Sequence, residues 1–325
     1  MKTAVDNDII KTNQGGYMTV NLGYACINTT LQKQSKIMCN RGMIKRTFLS
    51  KGVPYASEIT LSNVKALRQV IEWNNQNDIS VYRMTSCLFP WVSEYEIEDL
   101  PDYEEIHSVM QEAGQIAMSA GQRLSFHPGQ FCVLASPTEH VVTNAARELN
   151  KHAQMMDMMG LPKSPAAKIN IHVGGAYGER DKALARFCDN ATKYLTDSAF
   201  ARLTVENDDK PSVYSTKMLY DGVHKKIGIP IVFDSHHHSL GPQDQDYHDA
   251  FHLARSTWPD GVKQQCHHSN SRRDYEDPKA PKVSHSSWFY TPFENHGKPV
   301  DVVLECKAKE LALFKYRQDF ERIAA

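Results

Sequence analysis

The sequence predicts an α/β protein, a single (β/α)8 TIM barrel with a metal cluster at the C-terminal rim of its strands. Three observations lead there. Eight short β-rich runs alternate with longer helical patterns along almost all of the 325 residues. Most of the runs are apolar and β-branched, as strands of a parallel sheet covered on both faces should be. Six consecutive runs also carry a His, Asp or Glu at their end or directly beside it. Eight strands with helical crossovers in about 300 residues fit a closed barrel. A doubly wound open sheet is the alternative, weakened because no G-x-G-x-x-G follows an early strand.

Taken in order, the runs are TVNLGY (19–24), ISVYRM (79–84), QRLSF (122–126), KINIHV (168–173), RLTVE (202–206), IPIVFD (229–234), GVKQQCH (261–267) and DVVLE (301–305). The seventh is mostly polar and so the weakest. Between them, in 62–77, Ser62 or Asn63 can cap a helix whose Val64, Leu67 and Ile71 share one face. Similar patterns occupy 103–120, 138–159, 180–196, 211–227 and 244–255, with a last helix over 307–321. The link 268–300 has no helical period and is rich in Ser, Pro and His, as a functional loop would be. Residues 1–17 read as a polar tail, leaving 18–325 as the barrel domain.

Composition narrows the class of function. The hydrophobic fraction of 41% supports a sizeable core. No stretch offers the ~18 apolar residues of a membrane span. The N-terminus lacks an apolar core of signal-peptide length, so an intracellular, cytoplasmic protein is expected. Seven scattered cysteines with no C-x-x-C pair fit a reduced compartment. With a net charge of −1, a nucleic-acid partner would need a local patch. Residues 9–57 contain no acid but hold Lys11, Lys33, Lys36, Arg41, Lys45, Arg46 and Lys51. Taken alone, that stretch reads equally well as an ordinary solvated loop.

The strand ends carry the chemistry. The third run closes on His127, the fourth on His172, the fifth on Glu206 and the sixth on Asp234, with His237 three residues later. The seventh closes on His267 and the eighth on Glu305, while His285 lies in the long loop. A lone histidine would read as a hydrogen-bonded core residue. Six strand ends in succession mark the rim where barrel enzymes build their sites. Mixed imidazole and carboxylate ligands suit Zn²⁺, Mn²⁺ or Fe²⁺ rather than Ca²⁺. Eight ligands exceed the needs of one ion, so two or three are expected, bridged by Glu206 or Asp234. Such a cluster activates water and stabilises an in-line phosphoryl displacement. The same ligands could instead serve proton or hydride transfer on a sugar, and the ligand set alone does not choose.

Seven segments together resemble the UV damage endonucleases, barrel nucleases related in fold to the endonuclease IV type of abasic-site endonuclease. They are NLGYACINTTL (21–31), NNQNDISVYRMTSCLFP (74–90), HPGQF (127–131), IHVGGAYGER (171–180), LTVENDD (203–209), IPIVFDSHHH (229–238) and LECKAKELAL (304–313). The resemblance covers residues 21–315. It implies incision of damaged double-stranded DNA immediately 5′ of a photolesion, leaving a 3′-hydroxyl. It also implies a cluster of divalent ions, commonly Mn²⁺, with Zn²⁺ or Mg²⁺ as alternatives, and an enzyme that works as a monomer.

Position by position, the resemblance makes His127, His172, Glu206, Asp234, His237, His267, His285 and Glu305 metal ligands. Glu206, Glu305 and His267 are expected to be catalytic. Gln130 and Phe131 match a pair that wedges into the stack opposite the lesion, which costs least at a damaged step. Tyr24 and Asn28 match residues that contact the flipped lesion. Lys33, Lys36, Arg41, Lys45 and Arg46, together with Arg272 and Arg273, are then expected to track phosphates from the rim.

The chain departs from its relatives at several places. Gln265 stands where a lysine, sometimes carboxylated, is expected, so one ion should be held more loosely. The run Cys266-His267-His268 permits two registers, of which Ser269 favours His267. Ser93-Glu94 replaces an expected histidine, and Phe131 replaces a tyrosine. Two other readings stay open: a metal-dependent sugar isomerase-like barrel, and a barrel that binds metal or damaged DNA without cutting it.

Overall fold

The computed structural model describes residues 20–321. The expected polar tail, 1–17, lies outside them. Eight parallel strands form the wall: β1 (Val20–Ala25), β2 (Val81–Arg83), β3 (Arg123–Ser125), β4 (Ile169–Ile171), β5 (Leu203–Glu206), β6 (Ile231–Asp234), β7 (Gln265–His268) and β8 (Val300–Leu304). They pair in the order β3-β2-β1-β8-β7-β6-β5-β4. A parallel bridge from Phe126 to Ile169 joins the two ends. There the Phe126 N–H donates to the Lys168 carbonyl and the Asn170 N–H to the Phe126 carbonyl, both at 3.0 Å. The wall is therefore a closed (β/α)8 barrel, and no sheet edge is left exposed.

Because side chains alternate across a strand, each strand has two destinations. Leu22, Tyr24, Tyr82, Val205, Phe233 and Val302 face outward and join the core shared with the helices. The inward residues are largely polar. Lys168, Asn170 and His172 share one face of β4 and its end, as Thr204 and Glu206 do on β5. Only Ala25, Val81 and Val303 make a small apolar cluster inside. At the amino ends of the strands, Asp301 accepts from Arg123 at 2.9 Å and from Asn21 at 2.9 Å, with Lys263 at 3.3 Å. This buried ion pair plugs the base of the barrel. The carboxyl ends remain open.

Most helices lie near the expected spans, at Tyr103–Ser119, Glu139–Met158, Arg180–Tyr194 and Tyr247–Arg255. The pattern at 211–227 becomes helical only from Thr216. The expectation over 62–77 needs a correction. That helix runs Lys45–Gln76, kinked at Gly52 (φ 67°), so Ser62 and Asn63 sit mid-helix and cap nothing. Pro54 is tolerated because it opens the segment after the kink, where no N–H partner is lost. Asn63 is buried instead, donating to the carbonyls of Leu88 (3.0 Å) and Arg41 (2.9 Å), and so ties together the loops after β1 and β2. Among the described residues no helix is long and apolar enough to cross a membrane.

Candidate metal centre

Every strand-end ligand named from the sequence points into the open mouth. Glu206, the last residue of β5, is 1% exposed and sits at the middle. Its Oε2 lies 3.2 Å from His127 Nε2 and 3.0 Å from His267 Nδ1, and its Oε1 lies 3.2 Å from His237 Nδ1. Three ligand triads result: His127–Glu206–His267, His172–Glu206–His237 and Asp234–His267–Glu305. Glu206 and His267 each belong to two. His285 stands at the rim, its Nε2 3.9 Å from Glu305.

Neighbouring groups fix the rings. His127 Nδ1 is 3.0 Å from the Pro128 carbonyl, so that nitrogen carries the proton and Nε2 faces the centre. His172 Nδ1 lies 3.0 Å from Asp208, and His285 Nδ1 lies 2.6 Å from Ser269 Oγ. The register question resolves geometrically. His268 is buried between Ser235 Oγ (2.7 Å) and the Thr291 carbonyl (3.2 Å), stacked on Phe289, while His267 faces the carboxylates. Of the three consecutive histidines only His237 reaches Glu206. His238 packs on Phe233 and Tyr247.

The electrostatics suit a cation. Burial alone would raise the Glu206 carboxyl, but His267, His127 and His237 outweigh it and hold it well below the usual range. Desolvation also acts to raise Glu305, but Arg83 and His267 keep it low. Burial pushes Asp234 up and presses His127 down to about 4, so the His127 imidazole is neutral at pH 7. Glu206 Oε1, Asp234 Oδ2 and His267 Nδ1 are buried near opposite partners yet complete no hydrogen bond. Buried polar atoms normally find partners. These atoms lie close to the other donors of their triads, and the donor set of imidazoles plus carboxylates fits divalent transition ions.

Three supporting residues were missed from the sequence. Arg83 binds Glu305, Asn170 donates to Glu206, and Lys168 places its Nζ 3.3 Å from His267 Nε2. The signal was available in KINIHV, where every second residue is polar and ends on a ligand. Gln265 is wholly buried with both amide atoms unpartnered, so β7 contributes no charge beside His267.

Of the residues expected to meet DNA, some stand exposed at the mouth and others do not. Gln130 is exposed and Phe131 is 82% exposed, on the loop after β3 beside the centre. A cavity of about 360 Å³ lies between Gln130, His172, Lys210 and His237. Lys33, Lys36, Arg41, Lys45 and Arg46 are exposed on the loop region after β1, and among the described residues none pairs with a carboxylate. Arg272 and Arg273 differ: Arg272 lies 3.6 Å from Asp277 and Arg273 donates to the Ala280 carbonyl, so both brace their own loop. Tyr24 and Asn28 must also be corrected. Tyr24 occupies an outward position of β1, is wholly buried, and donates to Asn74 while accepting from Asn28. Asn28 caps the helix Thr29–Ser35. Neither presents surface to a lesion in this arrangement.

A closed parallel barrel whose mouth gathers histidines around a shared carboxylate, a group that could hold metal ions, defines the class: a (β/α)8 barrel with a candidate metal centre. Sequence comparison narrows the class: the model of the UV-endonuclease UvdE family matches residues 20–325, and the chain belongs to that family. The UV-damage endonuclease of Schizosaccharomyces pombe is 31% identical over 309 residues, covering 92% of this chain. The chain spans only 50% of that protein's length. The UV DNA damage endonuclease of Bacillus cereus is 30% identical over 266 residues, covering 80% of this chain and 81% of that one. The crystal structure of SacUVDE superposes with a TM-score of 0.80 at 26% identity, covering 94% of this chain and 99% of that one.

Proposed function

We propose that the protein is a DNA-repair endonuclease that hydrolyses the phosphodiester immediately 5′ of a UV photolesion in duplex DNA and leaves a 3′-hydroxyl, with abasic sites as further substrates. The observation that carries this reading is Phe131, an aromatic ring 82% exposed beside a buried carboxylate–histidine centre. A flat aromatic ring on an exposed loop beside the centre can wedge between bases or stack on them.

Phe131 enters the stack at a distorted step while Gln130 takes up the hydrogen bonds of the unpaired base. The cavity beside Gln130 and His172 receives the displaced nucleotide, in place of Tyr24 and Asn28. Lys33, Lys36, Arg41, Lys45 and Arg46 hold flanking phosphates. When bound, the divalent ions supply Lewis acidity to the scissile phosphate and to water. His127, His172, His237 and Asp234 hold them, and His285 closes the rim. Glu206, Glu305 and His267 stand nearest the reacting atoms. Glu206 Oε1, with no hydrogen-bond donor of its own, helps to orient the attacking water. Arg83 keeps Glu305 ionised and fixed.

A sugar isomerase of this fold would need a closed pocket with no phosphate-binding rim, and the exposed cations speak against it. The test is nicking of supercoiled plasmid with Mn²⁺, comparing UV-irradiated, depurinated and untouched DNA. Irradiated plasmid should be nicked well above the untouched control. No nicking in any lane, with metal confirmed bound, would overturn the nuclease reading.

A further inference from the structure

A second apolar projection stands between β1 and β2, on a different loop from Phe131. Among the described residues, Leu49 is 73% exposed and Ile44 63%, and of the large apolar side chains only Phe131 is more exposed than either. Ile44 caps and Leu49 belongs to the short helical segment that precedes the kink at Gly52. Gly52 has φ 67° and ψ −162°, a backbone conformation that only glycine takes without strain. The kink separates this segment from the long helix, whose buried face begins only at Ala56.

The segment is anchored from its other side. Phe48 stacks on Trp91, with ring centroids 5.9 Å apart and 21° between the planes. The Trp91 indole N–H donates to the Met43 carbonyl at 2.9 Å. The N–H groups of Thr47 and Phe48 donate to the Ile44 carbonyl at 2.9 and 3.1 Å. Ile44 and Leu49 therefore project from a fixed backbone.

Charge narrows what can meet them. Lys45 and Arg46 lie four and three residues before Leu49, so the leucine shares a helix face with both cations. Both are exposed, and the sequence holds no Asp or Glu from residue 9 to residue 57. An apolar side chain rimmed by unopposed cations complements a polyanion with an apolar interior. A nucleic-acid duplex has that make-up, with phosphates outside and stacked bases within. Proteins that enter the minor groove use the same combination, Lys or Arg beside an inserted Leu, Ile or Phe.

We propose that Leu49, with Ile44 beside it, is a second wedge, which parts a base step from the minor groove while Lys45 and Arg46 hold the phosphates on either side. The proposal rests on the DNA reading above and adds a contact away from the centre. An inserted side chain kinks a duplex by roughly 20–90°, and an undamaged step can be kinked as well as a damaged one. Leu49 thus positions the duplex on the rim, whereas Phe131 examines the lesion.

The probe is duplex DNA carrying a fluorescent donor and acceptor at its two ends, with and without one photolesion. The full chain carries Glu206→Gln so that nothing is cut. Binding should bring the ends together, read as a rise in energy transfer on both duplexes. Adding Leu49→Ser should remove about half of that rise or more, and Leu49→Met, which keeps an apolar wedge, should retain it. The fall of affinity with salt should be the same in all three chains, because no charge has changed. The leucine is in water, so the serine variant keeps the fold, which its melting temperature checks. Equal energy transfer in Leu49→Ser and its parent would overturn the wedge and leave the nuclease reading standing. Vesicles of phosphatidylserine and phosphatidylcholine that bind the parent but not Leu49→Ser, with bending unchanged, would overturn it in favour of a lipid contact. No DNA binding by the parent would overturn both readings.

Discussion

Lys168 reaches through the barrel interior to set its Nζ 3.3 Å from His267 Nε2, while the other nitrogen of that ring stands 3.0 Å from Glu206. A ring that binds a cation through Nδ1 must carry its proton on Nε2, and that proton needs an acceptor. A neutral amine accepts; an ammonium does not. Burial holds Lys168 down to about 7, so the neutral form is within reach near neutral pH. Lys168→Met should therefore weaken Mn²⁺ binding on the order of tenfold. Lys168→Arg should weaken it further, because a guanidinium only donates. Titration calorimetry at pH 7.5 checks the ranking, and wild-type affinity in Lys168→Arg would remove Lys168 from the design of the centre.

Glu206 is the one carboxylate shared by two triads. Glu206→Gln keeps its volume but removes the charge that three rings surround. Nicking of irradiated plasmid should fall by about a hundredfold or more, with an unchanged far-UV circular dichroism spectrum. Full activity would mean that the ions are bridged elsewhere.

How far the residues alone led can be judged strand by strand. Six of the eight candidate ligands stood at or beside strand ends, where the chain leaves the wall and a His, Asp or Glu stands out; His237 follows three residues after one of them, and His285 came only from the long loop. Lys168, Asn170 and Arg83 were not legible, although KINIHV carries the period of two, because inward positions of a barrel were assumed apolar. Tyr24 was carried over from the resemblance alone, and on β1 its side chain lies in the helix layer rather than at the mouth. The helix start at Lys45 was hidden by Gly52 and Pro54, which read as breakers and act as a kink.

Acid should destabilise the ion-free protein through histidines buried without charge. His152 lies away from the mouth, wholly buried and edge-on to Phe126, and burial presses it down to about 4. A histidine whose folded value lies below its unfolded value, about 6.5, stabilises fully above 6.5. That stability is lost as pH falls toward 4. His152→Phe should therefore flatten the fall in unfolding free energy between pH 6.5 and 4, by up to about 1.4 kcal/mol per pH unit. Urea melts across that range measure it. An unchanged slope would show that His152 is protonated in the folded state.

Phe131 separates recognition from stability. Its ring is in water, so Phe131→Ala should leave the melting free energy within about 0.5 kcal/mol. The same change should bring the nicking rates of irradiated and untouched plasmid close together. A variant that keeps full preference for damaged DNA would place the wedge elsewhere on the rim.

The basic stretch tests the other half of DNA binding. Lys33, Lys36, Lys45 and Arg46 have no carboxylate partner among the described residues, and the guanidinium of Arg41 donates to Ser62 Oγ at 3.0 Å. Each phosphate that a cation neutralises releases counterions, so the logarithm of affinity falls with the logarithm of salt by about 0.9 per phosphate. Such binding carries no information about the lesion. Replacing the four lysine and arginine side chains other than Arg41 with serine should flatten that slope by about 0.9 for each phosphate no longer neutralised. Irradiated and untouched DNA should be weakened alike, with the nicking rate at saturating DNA unchanged. Fluorescence anisotropy over a salt series gives the slope. An unaltered slope would make this stretch a solvated loop and leave Phe131 and the centre to hold the duplex by themselves.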